Sequence, residues 1–293
     1  MSLPLILELF GPAIVATLLA ALLCPAVGAL LFVRRSAFHG VVLPQVAAAG
    51  TAAGFAVLPW WTLHVGLAGM TTLEAVDSPH ALAGYLLGWA FAGTALGLGL
   101  LHAFGRREGA DPARLAVLFA VASALTTLCA LSAPVGGERI DAMLKGEILT
   151  LDWHAVEVLG GSYALVALLL ARFGRELWLV GLDPELAQVL GFDRRRLELI
   201  WLGLVGITVA IGSLLVGPVV LFGLLVIPPL AARQVARSLR GFQVVAVLLG
   251  FAGAVGGLAL SFWADWPLGP SVVVACALCL PPAWAEGRRR RLP

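Results

Sequence analysis

Residues 199–232 contain no charged side chain, and this run is too long to cross a membrane as one straight helix. It would be about 50 Å long at 1.5 Å per residue, whereas the hydrocarbon core of a bilayer is about 30 Å thick. Gly217 and Pro218 lie near its middle, and a Gly-Pro pair breaks a helix. The run therefore predicts two short membrane helices joined by a turn buried in protein, where irregular backbone is tolerated.

The second of these helices contains Pro228 and Pro229, which loosen it again. Broken helices of this kind often line the path of a transported substrate. An ordinary proline kink in a helical bundle is the alternative interpretation. We therefore treat Gly217, Pro218 and Pro228 as candidate pathway positions.

The rest of the chain has the same apolar character. Its 293 residues are 60% hydrophobic and only 12% charged, whereas soluble domains carry about 25% charged residues. The pattern predicts an all-α membrane protein with a single transmembrane domain over residues 1–293 and about nine spans, within a range of eight to ten. The predicted spans are 4–33, 38–60, 80–104, 114–133, 154–172, 197–215, 217–233, 241–262 and 269–285.

The distribution of positive charge predicts the orientation. Residues 1–33 hold no Lys or Arg, whereas a cleavable signal peptide begins with a positive region, so we expect an uncleaved first helix. If the N-terminus is outside, all but two of the 19 Lys and Arg residues fall in inside segments, and the exceptions are Arg139 and Lys145. The positive-inside rule then places the C-terminus in the cytoplasm of a multi-pass inner-membrane protein.

Residues 181–196 interrupt the apolar pattern with a short charged segment on the inside. Asp183 suits the N-cap of a helix and Pro184 its first position. Glu185 in the first turn favours the helix dipole, and Gly191 suits the residue after the helix end. The segment therefore predicts a two-turn helix over Asp183 to Leu190.

This short helix carries an apolar stripe formed by Leu186, Val189 and Leu190. A helix of two turns is unstable alone, so it requires a surface to dock on. That surface is either the inner face of the bundle with the lipid headgroups, or another protein.

Two motifs carry a family resemblance. Residues 181–192 read G-x-D-P-E-x-A-x-x-x-G-F, and residues 216–233 read V-G-x-x-x-x-x-G-x-L-x-x-P-P-x-x-A-R. Together with 34–38 (RRSAF) and 144–149 (LKGEIL), they resemble the permease subunit of ATP-binding-cassette importers, in the zinc/manganese-type metal-ion family. The position of Arg233 after the two prolines also resembles the pattern of the sister family that imports metal chelates and corrinoids.

The resemblance implies a transport subunit and not an enzyme, and it implies no cofactor. Residues 181–196 would form the coupling helix that an ATPase subunit moves. The chain contains no ATP-binding G-x-x-x-x-G-K-[ST] motif, so the ATPase would be a separate chain. The further partners are an extracytoplasmic substrate-binding protein, a second copy of the permease and the lipid bilayer, and the net charge of +2 gives no indication of nucleic acid. The implied coupling residues are Asp183, Glu185, Ala187, Gly191 and Arg194.

The second span departs from the family pattern. Relatives usually show Gly-Asp-Ala-Leu-Ser-His-Ala, in which Asp and His share one helix face and suit Zn²⁺ or Mn²⁺. Here residues 40–46 read GVVLPQV, so Val41 and Gln45 stand at these two positions. The metal ligands are therefore unknown, and Val41 and Gln45 join the candidate pathway residues. The substrate is either a transition-metal ion, or a metal chelate or siderophore- or corrinoid-like molecule.

Other ligand candidates are isolated. Cys276 and Cys279 are spaced i, i+3 but lie in an apolar run, and Glu74, Asp77 and His80 would form an entry site only if their loop were helical.

An enzyme would need a catalytic pair inside the spans, and a secondary transporter would usually show coupling groups at the midplane. The sequence shows neither. Residues 134–153 are predicted to dip back into the membrane from outside.

Overall fold

The computed structural model describes residues 3–66, 72, 74, 79–105, 112–133 and 151–289. Within these ranges all regular secondary structure is helical, which confirms the predicted all-α class. The segment predicted to re-enter the membrane lies outside the described residues except for 151–153. In chain order the helices are α1 Leu3–Val33, α2 His39–His64, α3 Pro79–Gly105, α4 Pro112–Ser132, α5 Trp153–Leu182, α6 Pro184–Val189, α7 Arg194–Leu215, α8 Pro218–Val235, α9 Leu239–Ala264, α10 Leu268–Leu278 and α11 Leu280–Arg289.

Nine membrane-spanning candidates occur in the described part of the chain, as predicted. They are α1 to α5, α7, α8, α9, and α10 with the start of α11. The break between the last two helices precedes Pro281 and Pro282, which have no N–H to continue the ladder of α10.

Helix α5 is longer than the predicted span, which ended at residue 172. The helix runs to Leu182 because nothing breaks it before Asp183, and the proline at 184 disfavours a helical residue there. Its added part is amphipathic, with Leu177 and Val180 buried and Arg175 exposed. Hydropathy ends a span where charge begins, whereas the helix continues as long as it has an apolar face to bury.

Helices α1, α2, α7 and α8 form the centre of the bundle. Between 56% and 72% of their membrane windows is buried, against 17–39% for the other five spans. Helix α8 packs against α1, α2, α9, α10 and α11, and Leu221, Leu224 and Leu225 are fully buried. The two halves of the uncharged run are therefore central elements.

Glycines set the closest helix crossings. A Cβ on Gly50 would lie 2.5 Å from the carbonyl oxygen of Trp89, and one on Gly93 would lie 2.8 Å from that of Val46, so α2 and α3 touch through backbone. Gly253 and Gly257 have the same role where α9 meets α10. The GxxxG pairs at residues 50 and 54, 93 and 97, and 253 and 257 lie at such crossings. The pair on α3 at residues 84 and 88 faces open space.

Candidate coupling surface and transport pathway

Helix α6 begins and ends as its sequence predicts. The carboxylate of Asp183 accepts a hydrogen bond from the backbone N–H of Leu186 at 2.9 Å, and Pro184 occupies the first turn. Gly191 has a φ of +81°, the left-handed conformation that glycine adopts without strain. The predicted helix and both of its ends are confirmed.

The apolar stripe of α6 points outwards. The exposed fractions of Leu186, Val189 and Leu190 are 46%, 84% and 59%. These side chains therefore do not pack on the inner face of the bundle, which was one of the two expected docking surfaces. Asp183, Glu185, Gly191 and Arg194 are also exposed, so this end of the molecule presents a mixed apolar and charged surface.

Ala187 differs from its neighbours, because its side chain is only 2% exposed and belongs to the main apolar core. It is the side chain that attaches α6 to the bundle. The surface around α6, which we call the coupling surface, therefore consists of Leu186, Val189 and Leu190 with Glu185.

The residues after α6 are held by a second capped helix. Asp193 accepts hydrogen bonds from the backbone N–H groups of Arg195 at 2.9 Å and Arg196 at 3.2 Å, so it caps α7. The sequence signal for this cap was present, since Asp directly precedes a helix rich in Arg.

Arg34 ties the end of α1 to the segments on both sides of α6, and the sequence pattern did not predict this role. Its guanidinium lies 3.2 Å from the carboxylate of Glu198 and 4.8 Å from the ring centre of Trp201, both on α7. A Cβ on Gly181, near the end of α5, would lie 3.0 Å from Cγ of Arg34. The end of α1 is therefore fixed against the segments on both sides of α6.

The Arg34 side chain is only 10% exposed. Burial lowers the pKa of its guanidinium and Glu198 partly offsets this, and arginine remains charged in such surroundings. The RRSAF motif marked Arg34 as notable, but its partner is 164 residues away in sequence. Without the fold, that pairing has no local signal.

The turn between α7 and α8 is buried, as predicted. Gly217 has a φ of +92° and is buried together with Pro218, which occupies the first turn of α8. The N–H groups of Val216 and Gly217 both bond to the carbonyl of Gly212, at 2.8 and 3.1 Å. The broken run is thus a tight, hydrogen-bonded turn inside protein.

Val41 and Gln45 lie one turn apart on α2, and both are half-buried. The Gln45 amide has no hydrogen-bond partner among the described residues. One turn of α2 therefore offers a neutral amide and an apolar side chain that other molecules can reach.

The prolines free fewer carbonyl groups for a substrate than their number indicates. The carbonyl of Pro44 accepts a hydrogen bond from Ser213 Oγ at 3.0 Å. Pro229 has no N–H for the carbonyl of Leu225, but that carbonyl lies directly against Gly28 of α1. Both carbonyl groups lie at contacts between helices. The candidates that remain are the carbonyl groups four residues before Pro44 and Pro228, which lack their usual N–H donors.

Metal ligands do not cluster in the part of the chain that the structure describes. No group of three or more His, Cys, Asp or Glu side chains lies close enough to hold an ion. Cys276 is buried at the α9 crossing beside Gly253, which is a packing role. Asp77 lies outside the described residues.

Known proteins resemble this chain over most of its length. A model of the ABC 3 transport family matches residues 7–285. The zinc uptake membrane protein ZnuB of Haemophilus influenzae is 32% identical over 141 residues, 47% of this chain and 54% of that protein, so the chain spans about half of that relative. The zinc transport membrane protein TroC of Treponema pallidum is 26% identical over 75% of this chain and 72% of its own length. The manganese transport membrane protein MntC of Bacillus subtilis is 27% identical over 68% of this chain and 46% of its own length.

Two solved structures share the fold. PsaBC from Streptococcus pneumoniae, in complex with a Fab, superposes with a TM-score of 0.77 at 16% identity and covers 98% of this chain and 97% of the other. A putative metal-chelate type ABC transporter in an inward-facing conformation superposes with a TM-score of 0.62 at 19% identity. The match covers 98% of this chain and 89% of the other. The family model matches nearly the whole chain, and the described residues hold nine candidate membrane spans. This multi-pass membrane chain therefore belongs to the ABC 3 transport family.

Proposed function

We propose that this chain is the permease subunit of a bacterial importer for zinc or manganese, acting as a homodimer in the cytoplasmic membrane. Residues 1–293 act as one transmembrane domain, with the N-terminus outside and residues 181–196 as the cytoplasmic coupling segment. A separate ATPase subunit drives it and an extracytoplasmic binding protein delivers the ion. Family membership and the names of the zinc and manganese relatives support this proposal.

One observation carries the coupling role. Three large apolar side chains of α6 are exposed at the end of the bundle where α1, α5 and α7 are fastened together. A partner that covers Leu186, Val189 and Leu190 would bury apolar area. A force on α6 would reach the bundle through Ala187 and through the contacts of Arg34.

The test places a charge on the coupling surface. Val189→Glu puts a carboxylate at the most exposed position of the stripe, and Gln188→Glu puts the same charge on its exposed neighbour as a control. We expect Val189→Glu to weaken ATPase binding by about tenfold or more, as loss of a central interface residue does. Expression and thermal unfolding of the permease should not change.

The readouts are co-purification of a co-expressed ATP-binding-cassette ATPase subunit and metal uptake in cells. Gln188→Glu should retain both. Normal co-purification and uptake by Val189→Glu would remove α6 as the docking element. Ala187→Glu is a poor test, because a carboxylate at that buried position would disrupt the bundle itself.

A metal chelate is the second candidate substrate. The observation that favours it is the pair Val41 and Gln45, which offers one neutral amide where the family resemblance implied Asp and His. A bare divalent ion in the membrane needs several donors, whereas a chelated ion brings its own. Growth rescue by free zinc or manganese, compared with rescue by a chelate of the same metal, separates the two.

A further inference from the structure

A basic cavity lies at the end of the bundle where α1 and α8 finish and α9 begins. Its volume is about 500 Å³, within the range of small-molecule sites. Three arginines line it, Arg35 from the end of α1 and Arg233 and Arg237 from the end of α8 and the following connector. No described acidic side chain pairs with any of the three. The cavity therefore concentrates positive charge without an internal counter-ion.

The backbone adds to this charge. Ser238 caps α9 by accepting a hydrogen bond from the N–H of Gly241 at 3.1 Å. The N–H groups of the first turn of a helix have no acceptor within the helix, and their dipoles favour an anion. The first turn of α9 opens on the cavity through Ser238 and Leu239.

Arg35 occupies a position where glycine is the usual residue. Its φ is +55°, and the N–H of Ser36 bonds to the carbonyl of Leu31 at 2.9 Å, so α1 ends in a left-handed turn. A side chain in this conformation strains the backbone. Strained residues of this type cluster at functional sites, and here the strained residue contributes a guanidinium to the cavity.

The rest of the lining is apolar. Phe32, Val33, Ala236, Leu239 and Phe242 complete the wall. Phe242 also packs edge-on against Trp178 of α5. The cavity is therefore amphipathic, with basic groups and apolar walls side by side at the end of membrane helices.

We propose that this cavity binds the phosphate group of an anionic membrane phospholipid. Guanidinium groups and the start of α9 would hold the phosphate, and the apolar wall would contact the glycerol and the start of the acyl chains. Basic pockets between membrane helices bind anionic headgroups in this way. Free phosphate shares the first half of this chemistry but leaves the apolar wall unfilled.

The experiment uses the purified full-length chain in a non-ionic detergent. Phosphatidylglycerol, phosphatidylcholine and inorganic phosphate are added separately, and bound ligand and the unfolding temperature are measured. We expect phosphatidylglycerol to bind and to raise the unfolding temperature, and phosphatidylcholine to do neither. Arg233→Gln with Arg237→Gln should weaken binding of phosphatidylglycerol by about tenfold or more, given several-fold for each basic residue near a lipid surface.

A control pair removes the same charge elsewhere at the same end of the molecule. Arg175→Gln with Arg195→Gln, both exposed and outside the cavity, should leave binding unchanged. Equal losses in the two double variants would show general surface attraction and overturn the proposal, as would equal binding of the two lipids. Phosphate binding as tight as that of phosphatidylglycerol, and lost in the cavity variant, would keep the phosphate site and assign it to a free anion.

Arg35→Gly tests the site with a variant that should not destabilise the folded chain. Glycine relieves the left-handed strain, so the lipid-free chain should unfold at the same or a higher temperature. The stabilisation by phosphatidylglycerol should nevertheless fall several-fold. A variant that is both stable and fully responsive to the lipid would remove Arg35 from the site.

Discussion

At the residue scale, the main result is that α2 presents a neutral face at the two positions where the family resemblance implied metal ligands. Val41 and Gln45 are both half-buried, and the Gln45 amide is unpaired within the described residues. Sequence comparison alone identified the two positions. It could not show that Ser213 occupies the nearby Pro44 carbonyl, because that contact joins helices distant in sequence.

Replacing Gln45 tests whether this face meets the substrate. We expect Gln45→Leu to reduce metal uptake several-fold at normal expression, because it removes the polar group that passing substrate can reach. Val41→Asp with Gln45→His should increase binding of zinc or manganese, since the two side chains share one helix face. Metal content of cells carrying each variant is the measurement, and unchanged uptake in both would take α2 out of the pathway.

Arg34 is the second residue with a defined expectation. Arg34→Gln should lower the free energy of unfolding by about 1 kcal/mol, because the largely buried guanidinium loses both Glu198 and Trp201. Arg172→Gln is the matched control, since its pair with Glu176 lies on the helix surface at 3.6 Å and should contribute about 0.3–0.5 kcal/mol. Chemical denaturation in detergent compares them, and equal losses would contradict the anchoring role of Arg34.

At the element scale, the ends of α6 were predictable from the sequence and its contacts with the bundle were not. Asp183, Pro184 and Gly191 fixed α6 because capping depends on neighbouring residues. The burial of Ala187 and the exposure of Val189 depend on where α6 meets the bundle, which a local pattern does not contain. The extension of α5 to Leu182 was missed because hydropathy measures lipid contact and not helix length.

The crossing of α1 and α8 makes a sharp prediction. A Cβ on Gly28 would overlap the carbonyl oxygen of Leu225, which is backbone and cannot move aside cheaply. Gly28→Ala should therefore destabilise the chain by about 1–3 kcal/mol through overpacking. Gly84→Ala meets open space and should be neutral or stabilising by up to about 1 kcal/mol. The measurement is thermal unfolding of both variants in detergent. An unchanged unfolding temperature for Gly28→Ala would contradict the close approach of the two helices.

At the scale of the whole molecule, the charge pattern predicts one orientation. A reporter active only in the cytoplasm should be active when fused after Leu292 and inactive when inserted into residues 61–78. The physical reason is the concentration of Lys and Arg on the inside. The opposite activities would reverse the topology and place α6 on the wrong side for an ATPase.

Transition-metal transport driven through α6 is the function that we propose for this chain. The most direct measurement is the zinc and manganese content of metal-limited cells that carry no permease, the wild-type chain, Val189→Glu or Gln188→Glu. We expect several-fold lower content of one metal without the permease and with Val189→Glu, and wild-type content with Gln188→Glu. Equal zinc and manganese content in all four strains would contradict it.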